Sequence, residues 1–555
     1  GGRPIVPRGV PAMKLRSSLL AVVLLATAAS ADEGHQHAGA PPEKLGTVHF
    51  ATSCAPAAQK EFTRAVALLH SFWYPEAAKS FRRAAEADPA CGMAHWGLAM
   101  TDFHPIWTPP GPTELARGAA AAAKAKEIGA KTERERDYID AIGVFYGGAD
   151  RLDHRTRALA YEQAMERLQA KHPDDYEAAI FHALALDGIQ LPTDKTYASY
   201  RKAAEILTKI LPEEPDHPGV AHYIIHSYDV PALASLGLPA ARSYAKIAPS
   251  SPHALHMPSH IFTRLGLWDD SITSNIASAK AGREAAERAK PGSSSFDQLH
   301  ALDYMEYAYL QKGDDANARK VLEETRAVTA LDDPQFAAAY ALAAVPARFA
   351  LERRSWADAA SLSVAPSWFP WTKYRWAEAL VHHARALGAA RSGNVAAAKE
   401  ALASLAEIQQ ALAGAKETYW AGQVEIERLE AAGWIARAEG RDDEALAKLT
   451  AAADLEDATE KHPVTPGPVL PAREQLGDLL VELKRPADAL AAYEASNTRS
   501  PNRLNGLLGA ATAARLAGDA TKARELGARL RELTGTRGPE RKGLADARSL
   551  AKTGG

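Results

Sequence analysis

"PADALAAYEASNTRSP", residues 486–501, sets Ala489, Tyr493, Ser496 and Pro501 at spacings of four, three and five. The first three positions share one stripe of a helix. A small residue lets a neighbouring helix approach, an aromatic ring one turn later fills the gap, and the proline ends the unit. The same spacing returns as Ala77, Phe81, Ala84 and Pro89 in "YPEAAKSFRRAAEADP" and as Ala240, Tyr244, Ile247 and Pro252 in "LPAARSYAKIAPSSP". A first helix precedes the cleanest copy, with Leu476, Gly477 and Leu480 on one face and the glycine permitting close contact. Weaker copies surround Ser271, Ala318, Ala398, Ala445 and Ala523, and "KGDDANA", "SGNVAAA", "EGRDDEA" and "AGDATKA" each put a Gly-polar turn before the second helix.

A repeated helix–turn–helix of this kind resembles the tetratricopeptide repeat (TPR) family, whose unit is about 34 residues. The resemblance covers most of 58–535, most specifically 472–501. It is looser between 110 and 215, where "GIQLPTDKTYAS" reads as an insertion. It implies an all-α fold, an α-solenoid of stacked TPR-like repeats, because each unit buries its apolar face only against the next. "SCAPAAQKEFTRAVALLHSFWYPEAAKSFRRAAEADPACGMAHWGLAM", "HPGVAHYIIHSYDVP" and "HALHMPSHIFTRLGLWDDSI" also resemble a group of exported bacterial TPR proteins, which carries no characterised activity across.

Three breaks divide the array: "ERAKPGSSSFDQ" (287–298), "SVAPSWFPWTKY" (363–374) and "EKHPVTPGPVLP" (460–471). They predict an N-terminal array at 50–290, middle repeats at 291–370, further repeats at 371–460 and C-terminal repeats at 461–535. A disordered linker at 32–49 and a disordered tail at 536–555 flank them.

The amino-terminal segment predicts export. Lys14 and Arg16 follow Met13, Leu19 to Ala29 form a short apolar run, and Ala29-Ser30-Ala31 offers a cleavage site after Ala31. Residues 1–12, upstream of Met13, are set aside. A periplasmic or secreted chain follows. Residues 1–31 hold four of the 65 basic residues and none of the 68 acidic ones, which leaves 61 against 68 and a formal charge of −7. That balance argues against nucleic acid as a partner. No later run of apolar residues is long enough for a transmembrane segment.

Export bears on the two cysteines. Cys54 and Cys91 lie 37 residues apart, close to one repeat length. They either face each other as a disulfide at the starts of two stacked units or stay buried and reduced.

Histidines gather in the middle of the chain. His222, His253 and His300 each lie 18 residues before the small residue of a second helix: Ala240, Ser271 and Ala318. His256 and His260 lie 15 and 11 before Ser271, Asp229 lies 11 before Ala240, and Asp303 and Tyr307 lie 15 and 11 before Ala318. These offsets make one stripe of the first helix. The TPR resemblance places that stripe on the concave groove, where His222, Asp229, His256, Asp303 and Tyr307 would line a ligand surface. His226 sits beside the stripe, four residues from His222.

Several imidazoles side by side resist protonation together. Three arrangements resolve the conflict. One divalent transition metal, Zn, Cu or Fe, can bind some of His222, His226, His253, His256, His260 and His300. The rings can stay neutral in a polar groove that takes a protein, peptide or small-molecule ligand. Or they can be structural, donating between helices. Pro258 bears on the choice: it either kinks the stripe or starts a helix afresh, leaving His253 and His256 in a loop.

Weaker candidates are the tail histidines His35 and His37, the pair His70 and His104 near ends of first helices, His95, and His462 with Glu474 near the third break. "ERERDY" (133–138) reads as a solvated face. No phosphate-binding Gly-rich loop, nucleophile elbow or Cys-x-x-Cys occurs, so nucleotide, flavin, haem and thiol-redox chemistry have no support. The sequence leaves two readings: a groove-binding solenoid and a metal-dependent enzyme, hydrolytic or oxidative.

Overall fold

The computed structural model describes residues 1–2, 43–535 and 541–552. The export signal and cleavage site expected at 13–31, with His35 and His37, lie outside the described residues. The chain divides into residues 1–43 and residues 44–555, and every element below belongs to the second unit.

From Pro56–His70 onward, each helix packs chiefly on its sequence neighbours and on the next but one. Among the described residues the only β feature is an isolated bridge between Ser294 and Leu331. The fold is an all-α solenoid of TPR-like helical hairpins. The motif that announced it has a plain physical basis. Pro486–Arg499 carries the buried Tyr493, whose ring lies over Gly477 of the preceding helix Ala472–Glu482 and Gly509 of the following Leu504–Leu516. A Cβ at Gly477 or Gly509 would come within 2.7 or 2.2 Å of that ring. Phe81 sits against Gly97 in the same way, one repeat apart. The turn signals hold too: Gly440 and Gly518 adopt φ of +75° and +82°, where a side chain is disfavoured.

The looser stretch continues the pairing with Pro112–Ile128, Glu133–Tyr146, His154–Lys171, Tyr176–Ile189 and Ala198–Ile210. "ERERDY" is a solvated face only in part: Glu133 and Arg136 are exposed, but Glu135 and Tyr138 are buried. Glu135 caps its helix with Thr132 and accepts from Ser53 N at 2.8 Å, and Tyr138 is buried against Phe50 and Trp96. The 44–53 segment covers Glu135 and Tyr138 through Ser53 and Phe50. That segment also corrects the expected linker. Within 43–49, Leu45 and Val48 are buried, and Thr47 N donates to Asp216 O at 3.0 Å. The expected disordered tail likewise includes Leu544–Ser549, which buries Leu544 and Ala547, and Arg541, which donates to Glu352 O at 2.7 Å.

Cys54 and Cys91 are disulfide-bonded with Cα atoms 5.1 Å apart. The bond ties the entry of Pro56–His70 to the start of Gly92–Thr101, beside the cluster of Phe50, Phe62, Phe81 and Tyr138 around Trp96. Closing a loop of this length restricts the unfolded chain by about 4 kcal/mol on the chain-entropy model, of which roughly 2–4 is usually realised. Cys54→Ala/Cys91→Ala is therefore expected to lower urea stability by about 2–4 kcal/mol; an unchanged midpoint would show the bond to be incidental.

The array turns back on itself. Trp268 Nε1 donates to Asn502 O at 2.8 Å, Arg503 reaches Tyr307 at 2.8 Å, and Glu460 N donates to Pro192 O at 2.7 Å. The third break is thus a strap. Tyr304 hydroxyl meets both Pro463 O and Thr465 O at 2.9 Å, and Lys461 Nζ lies 3.2 Å from Asp229. Among the described residues, no helix is long and apolar enough to cross a membrane.

Candidate metal centre

His222 and His226 project from Pro218–Tyr228, His253 and His256 from Pro252–His256, His260 from Pro258–Leu265 and His300 from Phe296–Gln311. Pro258 begins its helix, but only Met257 intervenes, and its backbone stays right-handed helical at φ −52°, ψ −36°. His253 and His256 therefore lie on a helical turn in line with His260, not in a loop. A proline at a first helical position forgoes no bond it could have made.

The six rings do not line an open groove. His222 and His260 are fully buried, and His253, the most exposed, is at 5%. The offsets revealed a shared face correctly, but that face meets the chain's own strap. The stripe also parts into two chemistries. Asp303 accepts from Arg348 at 2.6 Å, with Glu306 on the same guanidinium, and Tyr307 hydroxyl accepts from Arg503. Those two residues of the expected ligand surface belong to buried ion networks. Asp229 stays with the histidines.

The six imidazoles form two sets whose ligating atoms lie within 4.8 Å of one another: His222, His226 and His253, and His256, His260 and His300. Hydrogen bonds decide the tautomers of the second set. His256 Nδ1 meets Asn275 Oδ1 at 2.7 Å, while Asn275 Nδ2 is engaged with Ser271 O at 2.8 Å. His260 Nδ1 meets the Asp229 carboxylate at 2.9 Å. Both partners are acceptors, so both rings carry their proton on Nδ1. Their Nε2 atoms, 3.0 Å apart, then present lone pair to lone pair. No hydrogen bond can sit between them. Protonation is opposed as well: burial first, then the neighbouring imidazole, hold His256 well below the usual histidine range, and burial lowers His260 despite Asp229. A cation between the two nitrogens resolves the clash; two imidazoles on a tetrahedral ion at metal–nitrogen distances near 2.0–2.1 Å stand roughly 3.3 Å apart. His300 faces the same place with both ring nitrogens buried and unpartnered.

In the first set one tautomer is fixed, that of His222, and His226 Nε2–H can donate to it. His222 Nδ1 donates to His70 O at 2.6 Å, which leaves its Nε2 a lone pair 3.1 Å from His226 Nε2. His253 Nε2 is buried without a partner. Aromatic walls keep the cluster dry: Phe72 against His222, His226 and His253, Trp107 against His253 and His300, and Tyr304 against His256 and His260. Asp229 anchors the outer side. Burial would raise its carboxyl, but Lys461, Arg264 and His260 outweigh burial and hold it well below its ordinary value.

The weaker candidates scatter. His70 and His104 are not brought together: His104 packs on Tyr74, while His70 bonds Glu177 and Tyr223, each at 2.9 Å. Glu177 also receives His217 at 2.9 Å. Nothing in the sequence marks Glu177, which sits in the loosest part of the repeat. His95 takes no part in the cluster. His462 packs on Phe336 and Trp420, and Glu474 goes to Arg503, so that pair is not formed.

No family model matches the chain, and a comparison with curated proteins finds no match. Similar solved structures include the human IFIT1 dimer with PPP-AAAA (14% identity, 85% of this chain and 89% of that one, TM-score 0.35). The APC/C hetero-tetramer Cut9–Hcn1 (13%, 90% and 96%, TM-score 0.30) and yeast Tom70 (10%, 89% and 96%, TM-score 0.32) are others. At these scores the likenesses carry no argument; the fold rests on the helix pairing itself.

Proposed function

We propose that the chain is a metalloprotein: an exported TPR-like solenoid that holds a transition-metal ion on His256, His260 and His300. One observation carries the reading, the two Nε2 lone pairs that face each other at 3.0 Å with both Nδ1 protons committed elsewhere. Three neutral imidazoles, two of them with tautomers set by an amide and a carboxylate, are the ordinary dress of a bound ion. They also leave a coordination position open, which suits metal-dependent chemistry on a small ligand. The Cys54–Cys91 bond supports an oxidising compartment and hence export. A groove that takes a protein or peptide at His256 and Tyr307 would require the strap at 460–467 to leave. The metal reading requires no rearrangement.

The test is elemental analysis of full-length protein purified without a histidine tag and loaded separately with Zn, Cu and Fe. It is run beside His256→Ala/His260→Ala. Bound metal is expected to fall by one equivalent in the variant. Absence of any bound metal, or equal content in both proteins, would overturn the reading.

A further inference from the structure

The two histidine sets are built to one plan. Each takes an i,i+4 pair, from Pro218–Tyr228 in one and across the Pro252–His256/Pro258–Leu265 junction in the other, and a single ring from the next repeat. His222 and His226 are completed by His253, and His256 and His260 by His300. The completing ring stands in both cases at the same place in its repeat, 18 residues before the small residue of the next second helix. Fixed tautomers turn Nε2 inward in both sets, one ring in the first (His222) and two in the second (His256 and His260). The sets adjoin: His253 and His256 rings are 6.0 Å apart, as are His226 and His260, and Trp107 walls both.

We infer that the cluster is a two-ion site, one ion per triad, and that the ions are copper(I). The inference rests on the metalloprotein reading above and deepens it. Charge selects the metal. Six neutral rings bring no negative charge, and the one carboxylate at the cluster, Asp229, is already shared by Arg264 and Lys461. Two divalent ions would place four positive charges in a dry, aromatic-walled space without an anionic ligand, which burial penalises severely. Two monovalent ions halve that charge. Copper(I) accepts three imidazoles without retaining water, and imidazole is among the ligands that suit copper.

The experiment is an anaerobic titration of the full chain with copper(I) against a chromogenic copper(I) chelator, with zinc(II) as comparator. Two equivalents of copper(I) are expected for the wild type, and one each for His253→Gln and His300→Gln. One equivalent in the wild type, lost in His300→Gln and kept in His253→Gln, overturns the pair while the single-ion reading stands. Zero equivalents of copper and zinc overturn the copper pair, and zero equivalents of iron as well overturn both readings. Two equivalents of zinc with no copper(I) bound overturn the choice of metal. Should a variant fail to fold, the wild type alone decides: its copper(I) titration is expected to break at two equivalents. A break at one equivalent would overturn the pair.

Discussion

Arg503→Met is expected to destabilise the protein by about 3–5 kcal/mol, the usual cost of stripping the partner from buried charges. Arg503 is fully buried. Its Nε lies 2.6 Å from Glu474, one terminal nitrogen reaches Glu352, and the other donates to Tyr307 hydroxyl at 2.8 Å. Glu352 is further held by Asn505 at 2.7 Å. One guanidinium thus joins the C-terminal repeats to the helices Phe296–Gln311 and Phe336–Glu352, and it balances two carboxylates that no water reaches. Methionine fills the volume but leaves both carboxylates unpaired. The sign with pH follows. Burial already raises the Glu474 carboxyl even against Arg503, and loss of the arginine raises it further. A carboxyl whose folded value exceeds its unfolded value destabilises increasingly as pH climbs past the unfolded value. The deficit of the variant should therefore be larger at pH 8 than at pH 5, read from urea midpoints. Adding Glu352→Gln and Glu474→Gln should restore most of the loss. A deficit under about 1 kcal/mol, the scale of an exposed ion pair, would mean that the network is solvated and the turned-back array loosely joined.

How much of this was legible in the residues depends on range. Ala489, Tyr493 and Gly477 announced the hairpin because ring-over-glycine packing is local and repeats. The histidine offsets announced a shared face for the same reason. What that face meets is a different matter. A solenoid's path sums small rotations over many repeats, so nothing at His256 tells that residues 460–467 return to cover it. The strap itself has no period to read. Its prolines mark only a break in the array, and its grip is a few contacts, Lys461 on Asp229 and Tyr304 on two carbonyls. Asp303 and Tyr307 failed as groove residues for that reason: Arg348 and Arg503 approach them from 45 and 196 residues away. The cysteines were within reach because 37 residues is nearly one repeat, so stacking alone brings their backbones together.

Asp229→Asn is expected to weaken ion binding at the second triad by about 10–100-fold, the scale found when a histidine ligand loses its orienting carboxylate. Asp229 does three things at once: it accepts from His260 Nδ1 at 2.9 Å, from Arg264 Nε at 2.8 Å, and from Lys461 at 3.2 Å. An amide offers one oxygen where the carboxylate offered two, and no charge. His260 then competes with Arg264 for it, and the tautomer that turns Nε2 toward the ion is no longer held. Loss of a nearby negative charge weakens cation binding in the same direction. Lys461→Met separates orientation from charge. It leaves the His260 bond intact and removes a buried positive charge from the neighbourhood, so affinity should rise, not fall. Burial lowers the Lys461 ammonium to about 8, so wild-type affinity should increase as pH passes through that value, and Lys461→Met should abolish the increase. Equal losses in Asp229→Asn and Lys461→Met would show that the pair merely closes the strap and that neither group acts on the ion.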